Sequence, residues 1–196
     1  MAGTSELKIR CSSCGQESAA AIYPSINVSQ NPELKAKVMD GSLFVHECPH
    51  CGRSQVLKYN LLYHDPDEKV LICLSDVNFV SDGMEGYTCR MVSDVGSLME
   101  KVKIFDAGLD DVAMEMCKYV TAGELGKPVD LKFLRMDGAD HDITLTYPQD
   151  GRMEMLEIGF NVYEDCAGII NRNPVLRSDS SGLARVDQEW IQKYFK

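Results

Sequence analysis

The chain is 196 residues long, 44% hydrophobic and 26% charged, with a formal net charge of -10. This is the composition of an ordinary globular protein, and no apolar run approaches the roughly 20 residues of a membrane helix, so a membrane-spanning chain is not expected. Residues 1–58 carry six Lys/Arg against five Asp/Glu and residues 59–196 fourteen against twenty-five, a field that repels phosphate backbones and argues against a general nucleic-acid-binding role.

Met1 to Arg10 lacks an apolar stretch behind a basic start, so no secretory signal is expected and a reducing cytoplasm is the expected setting. Eight cysteines there point to metal ligands or buried free thiols rather than disulfides. Leu7-Lys8-Ile9 predicts a short strand into a first knuckle, Cys11-Ser12-Ser13-Cys14-Gly15, and residues 19–28 a strand leaving it, interrupted at Pro24. Asn31-Pro32-Glu33 predicts a capped helix to about Asp40, stopped at Gly41, with only Leu34 and Val38 to bury. Residues 42–47 lead into a second knuckle, Cys48-Pro49-His50-Cys51-Gly52, and residues 55–63 lead out as the longest strand of this half. Asp65-Pro66-Asp67 then turns the chain into a strand over 70–74.

Ser81 to Gly86 is an acidic, Gly-containing loop and the expected boundary between a zinc-ribbon-like module, 1–80, and an α+β domain, 81–196; Tyr87 to Val92 can still pair as an edge strand. Val95, Leu98, Val102 and Phe105 fall at helical spacing after Ser93 as cap, with Gly108 closing the helix. A second stripe, Leu109, Val112, Met116, Tyr119 and Val120, follows with Asp110 and Asp111 in its first turn, and so short a link predicts a helical hairpin. Residues 130–136 and 142–147 flank Asp137-Gly138 as a β-hairpin, and Leu156, Ile158, Phe160 and Val162 alternate as a third strand of an antiparallel meander. Residues 169–176 are ambiguous, and Asp187 caps a terminal helix carrying Trp190, Ile191, Tyr194 and Phe195. The expected fold class is α+β.

The two knuckles carry the clearest chemistry. In a Cys-x-x-Cys turn the sulfurs converge, and the glycine after the second cysteine tolerates the positive φ that lets backbone N–H groups face the thiolates. Cys11, Cys14, Cys48 and Cys51 therefore predict a tetrahedral, all-thiolate zinc site, with the 33 residues between Cys14 and Cys48 filled by a strand and a helix. Such a site has no open position for water and is structural. Lys8, Arg10 and Arg53 stand beside the knuckles as candidates to offset its charge.

Cys48-Pro49-x-Cys51-Gly52, Asn31-Pro32-Glu33-Leu34-Lys35, Asp40-Gly41-Ser42-Leu43-Phe44, Leu61-Leu62-Tyr63-His64-Asp65 and Ile104-Phe105-Asp106-Ala107-Gly108-Leu109-Asp110-Asp111 together resemble the bacterial CpXC-domain proteins. The resemblance covers roughly residues 7–120. It implies a zinc-ribbon-like N-terminal module with Cys11, Cys14, Cys48 and Cys51 as ligands, and implies no activity. The chain departs from the family at Ser12, where proline is usual; this loosens the turn without removing a ligand.

Other residues have plainer readings. His46 and His50 flank the second knuckle as exposed residues rather than ligands, since four cysteines suffice. Tyr63-His64-Asp65 could place His64 as a base oriented by Asp65, against the simpler reading of a solvated turn. Cys73, Cys89, Cys117 and Cys166 are read as buried free thiols, and Met114, Met116, Met153 and Met155 as core filling. Asp137-Gly138-Ala139-Asp140-His141-Asp142 misses the calcium-loop spacing and is read as a polar turn. The leading functional expectation is a non-enzymatic zinc-binding module for protein–protein interaction or assembly, acting with a protein partner or by self-association. A thiol-disulfide oxidoreductase using Cys48 and Cys51 is the enzymatic alternative, and a nucleic-acid-binding ribbon using Lys8, Arg10, Lys35, Lys37 and Arg53 is the third.

Overall fold

A computed structural model describes residues 3–76 and 84–195 and shows a mixed α+β chain that divides into two compact units, residues 1–99 and 100–196. The loop Ser81 to Gly86 lies in part outside the described residues. No described helix is long and apolar enough to cross a membrane.

In the first unit, β1 (Ser5–Arg10) pairs antiparallel with β2 (Glu17–Ile22) around the first knuckle, and β4 (Val45–Glu47) with β5 (Ser54–Val56) around the second. Between them run β3 (Ser25–Asn27), α1 (Pro32–Met39) and a single 3-10 turn, Ser42–Phe44. Proline at the first helical position starts α1, which buries Leu34 and Val38 as its sequence predicts, and Gly41 at φ 80° takes the left-handed turn that ends it.

The strand expected over 55–63 is instead two pieces. Leu57, Tyr59, Leu61 and Tyr63 are all buried, so the period of two is right, but the hydrogen-bonded partner changes along it. Leu57 N donates to Phe44 O at 2.7 Å and Tyr59 packs on the Phe44 ring at 5.7 Å before β6 (Leu61–Asp65) begins. β6 then pairs antiparallel with β7 (Val70–Leu74), β7 parallel with β8 (Thr88–Val92), and β3 parallel with β6. All five β7 residues are buried, the reading of a strand covered on both faces.

The unit boundary falls inside α2 (Val95–Asp106). Its first turn is capped by Asp94, not Ser93: Ser97 N and Ser97 Oγ each donate to the Asp94 carboxylate at 2.8 Å. α3 (Asp111–Leu125) is capped by Asp110, which accepts from Ala113 N at 2.9 Å. β9 (Lys132–Asp137), β10 (Asp142–Gln149) and β11 (Arg152–Ile158) form the expected meander, in the order β11-β10-β9. Phe160 and Val162 do not extend it. Gly159 caps α4 (Phe160–Asn171), and Asn173 with Pro174 at the first helical position starts α5 (Pro174–Asp179). α6 (Gln188–Ile191) follows, with the Asp187 carboxylate accepting from Trp190 N at 2.8 Å. α3 packs most closely on α4 and α6 and meets α2 through buried charged side chains, so the helical hairpin is not the main packing of α3. Val112 and Met116 from α3, Phe133, Ile143 and Leu145 from the meander, Ile170 from α4 and Ile191 from α6 make one core.

Met114 and Met116 are buried as expected, but Met153 and Met155 are 63% and 64% exposed on β11; strand alternation carried them to the face opposite Leu156 and Ile158, which nothing in the second unit's core covers. A buried ionic cluster also joins α2 to α3. Lys118 Nζ donates to Glu100 at 2.7 Å and Glu115 at 2.9 Å, and Lys101 Nζ reaches Asp111 at 2.9 Å and Glu115 at 3.2 Å. Gln188 Nε2 completes it, donating to both the carbonyl and the carboxylate of Glu115 at 2.8 Å.

Candidate metal centre

The two knuckles fold by the same local rule. Cys11 N donates to Gln16 O at 2.9 Å and Gly15 N to Cys11 O at 2.9 Å; Cys48 N donates to Arg53 O at 2.9 Å and Gly52 N to Cys48 O at 2.8 Å. Gly15 and Gly52 sit at φ 72° and 69°, where a Cβ would be strained. Each turn is therefore closed by its own backbone and glycine, and its sulfurs are left on one side.

The hairpins then hold the knuckles face to face. Ser12 N donates to Gln55 Oε1 at 3.2 Å, the His46 ring is 3.1 Å from Ser18 Oγ, and His50 Nε2 is 3.3 Å from Glu17 O. Both histidines thus tie the second knuckle to β2 and take no place among the sulfurs. The result is a cluster of Cys11, Cys14, Cys48 and Cys51 whose sulfurs all lie within 4.8 Å of one another. Cys11 Sγ is 3.7 Å from Cys51 Sγ, and Cys14 Sγ 3.7 Å from Cys48 Sγ. A tetrahedral metal with bonds of about 2.3 Å to sulfur requires sulfur–sulfur edges of about 3.8 Å. Two of the six edges meet that requirement and the others lie within 4.8 Å, so the four sulfurs can hold a metal ion.

Electrostatics favour a cation at the centre. The N–H groups of Cys14 and Ser13 face Cys11 and draw its thiol down to about 6; Ser13 N is 3.4 Å from its sulfur. At Cys51 the Arg53 N–H pulls in the same direction, but desolvation and the three neighbouring thiols outweigh it and raise the group to about 12. Cys14 is also raised, the Gln16 N–H being outweighed by desolvation and its sulfur neighbours. Four thiols this close resist ionising together unless a positive ion lies among them. Arg10 supports the first knuckle directly, its Nε donating to Gly15 O at 2.9 Å.

The remaining candidates separate cleanly. Tyr63-His64-Asp65 is not a solvated turn: Asp65 is buried, accepting from Lys35 Nζ at 3.1 Å and Tyr63 OH at 3.3 Å. His64 is the alternate residue of the strand and turns to the opposite face, its ring 5.5 Å from that of Tyr87 and its Nε2 buried without a hydrogen-bond partner among the described residues. Asp65 therefore cannot orient His64 as a base. Asp65→Ala is expected to destabilise the first unit by about 2–3 kcal/mol, because it removes a buried carboxylate that accepts from both Lys35 Nζ and Tyr63 OH, as chemical denaturation will measure. Cys73, Cys89, Cys117 and Cys166 are buried and none of them is in a disulfide. Sequence reasoning missed the ionic cluster, although Lys101 beside Val102 and Glu115 beside Met116 put charges among apolar positions of two helical stripes.

A model of the CpXC protein family matches residues 9–118, more than half of the chain and both knuckles. No curated protein matches the chain, and no solved structure does so. With the paired knuckles and the length of that match, the chain belongs to the CpXC family.

Proposed function

We propose that Cys11, Cys14, Cys48 and Cys51 bind one structural zinc ion, and that the protein is a non-enzymatic module for protein–protein interaction or assembly in a reducing, cytoplasmic setting. The observation that carries the reading is the pair of 3.7 Å sulfur contacts between the two knuckles, the edge length of a closed tetrahedral thiolate site. Zinc suits this donor set because it takes four soft ligands with no redox cycle and no demand for an open position. The thiol-redox alternative gains no support: Cys48 to Cys51 sits in a turn between β4 and β5, not at the start of a helix where its thiolate would be stabilised.

Elemental analysis of the purified protein, paired with thiol titration, tests the proposal. The expected result is one zinc per chain, with four thiols becoming reactive only on chelation under native conditions. Protein that carries iron instead, or a reversible Cys48–Cys51 disulfide and no metal, would overturn it.

A further inference from the structure

We propose that the protein self-associates by pairing β11 of one copy antiparallel with β11 of a second copy, across a two-fold axis centred on Met153. The inference gives the assembly reading above a surface and a partner. It lies in the second unit, away from every knuckle residue in sequence, so it can fail while the metal site stands.

The meander has two outer strands, and they are treated differently. On β9, Phe133 N–H is taken up by the Glu100 carboxylate at 2.8 Å. β11 ends the sheet with no strand beyond it among the described residues. Gln149 and Arg152 close a two-residue turn, Asp150-Gly151, and are a directly paired set; such a closing pair exchanges both backbone hydrogen bonds. By alternation Arg152, Glu154 and Leu156 direct their N–H and C=O groups to β10, while those of Met153, Met155 and Glu157 point outward. The outward groups therefore belong to the same strand that displays two exposed methionines. An open edge of this kind is a template for another strand.

The side chains choose the strand. A two-fold axis perpendicular to the sheet keeps each residue opposite one on its own face, so the axis must pass through a residue. Centred on Glu154, it sets two carboxylates against each other. Centred on Met155, it sets Arg152 against Ile158 and Glu154 against Leu156. Centred on Met153, it sets Arg152 against the partner's Glu154 twice, and Met153 against itself. Met155 then lies opposite Gly151, where nothing stands within 4 Å of the position a Cβ would take. Outward backbone groups, opposite charges and space for a large side chain coincide in this one register, and a second copy of the chain meets all three.

Sedimentation velocity on the full-length protein from about 1 to 300 µM, a range suited to a small interface, tests this. The wild type is expected to shift from monomer to dimer across it. Arg152→Glu, which sets Glu against Glu twice, is expected to weaken the dimer at least tenfold, and Glu154→Arg to do the same. Arg152→Glu combined with Glu154→Arg is expected to restore it. Both substitutions lie on exposed residues, and circular dichroism checks that each of the three variants is folded. A wild type that stays monomeric throughout, as it would if the edge served a different protein, overturns the proposal. So does a dimer that survives either single reversal, or a double variant that fails to recover. Zinc measured in the same samples separates these outcomes from failure of the metal reading.

Discussion

Cys48→Ser is expected to abolish stoichiometric zinc binding and to melt both knuckle hairpins while leaving the β3-β6-β7-β8 strands protected. The size of the effect follows from how little else holds those hairpins. No residue of β1, β4 or β5 is buried, and β2 buries only Ala20 and Ile22. A two-stranded hairpin without an apolar face is marginal in water, whereas structural zinc contributes an apparent binding free energy on the order of 10–16 kcal/mol. Serine keeps the size of cysteine but offers no thiolate, and Cys48 is 1% exposed, so no water-filled space at its position substitutes for the lost ligand. Hydrogen exchange read by mass spectrometry is the measurement. Residues 5–22 and 45–56 should lose protection, and residues 61–74 should retain most of theirs. Cys166→Ala serves as a contrast, since it disturbs a buried thiol of the second unit and should leave zinc at one per chain. Full zinc occupancy in Cys48→Ser, or unchanged exchange in the hairpins, would sink both the ligand assignment and the structural role.

The parts of this protein that were legible in the sequence are those written in short, local patterns. A knuckle is five residues with a glycine at a fixed place, and both were found where Gly15 and Gly52 adopt positive φ. Asn31-Pro32 and Gly41 bracket α1, and Asp187 caps α6, for reasons contained in four consecutive residues. What was not legible depended on partners distant in sequence. Phe160 and Val162 alternate like a strand, yet only the packing of α4 on α3 decides that Gly159 begins a helix. Ser93 and Asp94 are both good caps, and one residue of register separates them. Met153 and Met155 have the spacing of core residues, but alternation puts them on the side of β11 where both are exposed. Lys101 and Lys118 carried no sign of burial, because a buried lysine is tolerated only when carboxylates from another element meet it.

Lys118→Met is expected to destabilise the second unit by about 3–5 kcal/mol, since removing one partner of a buried ion pair leaves the other charges uncompensated. Lys118 is 1% exposed and serves both Glu100 and Glu115; Lys101 still faces Asp111 and Glu115, but Glu100 keeps the partly exposed Lys132 at 3.4 Å as its one cation among the described residues, beside the neutral Phe133 N–H. By contrast Lys58→Met, which breaks an exposed pair with Asp76, should cost no more than about 1 kcal/mol. The cluster also sets a pH window. Burial alone would raise the Glu115 carboxyl, but Lys118 and Lys101 beside it hold it below its ordinary value of 4.5. Its contribution is therefore present above that value and is lost as pH falls through the depressed one. Burial alone would lower both lysines, but the surrounding carboxylates hold them above 10.5, so their contribution is present below that value and is lost as pH rises through the raised ones. Urea unfolding of the wild type should accordingly show a plateau between these limits, falling on the acid side as Glu115 protonates. In Lys118→Met the plateau should be lower and the acid fall shallower, because one of the two cations that depress Glu115 is gone. A change in stability below about 1 kcal/mol at neutral pH would mean that the cluster is solvated rather than buried, and would remove the basis for the pH window as well.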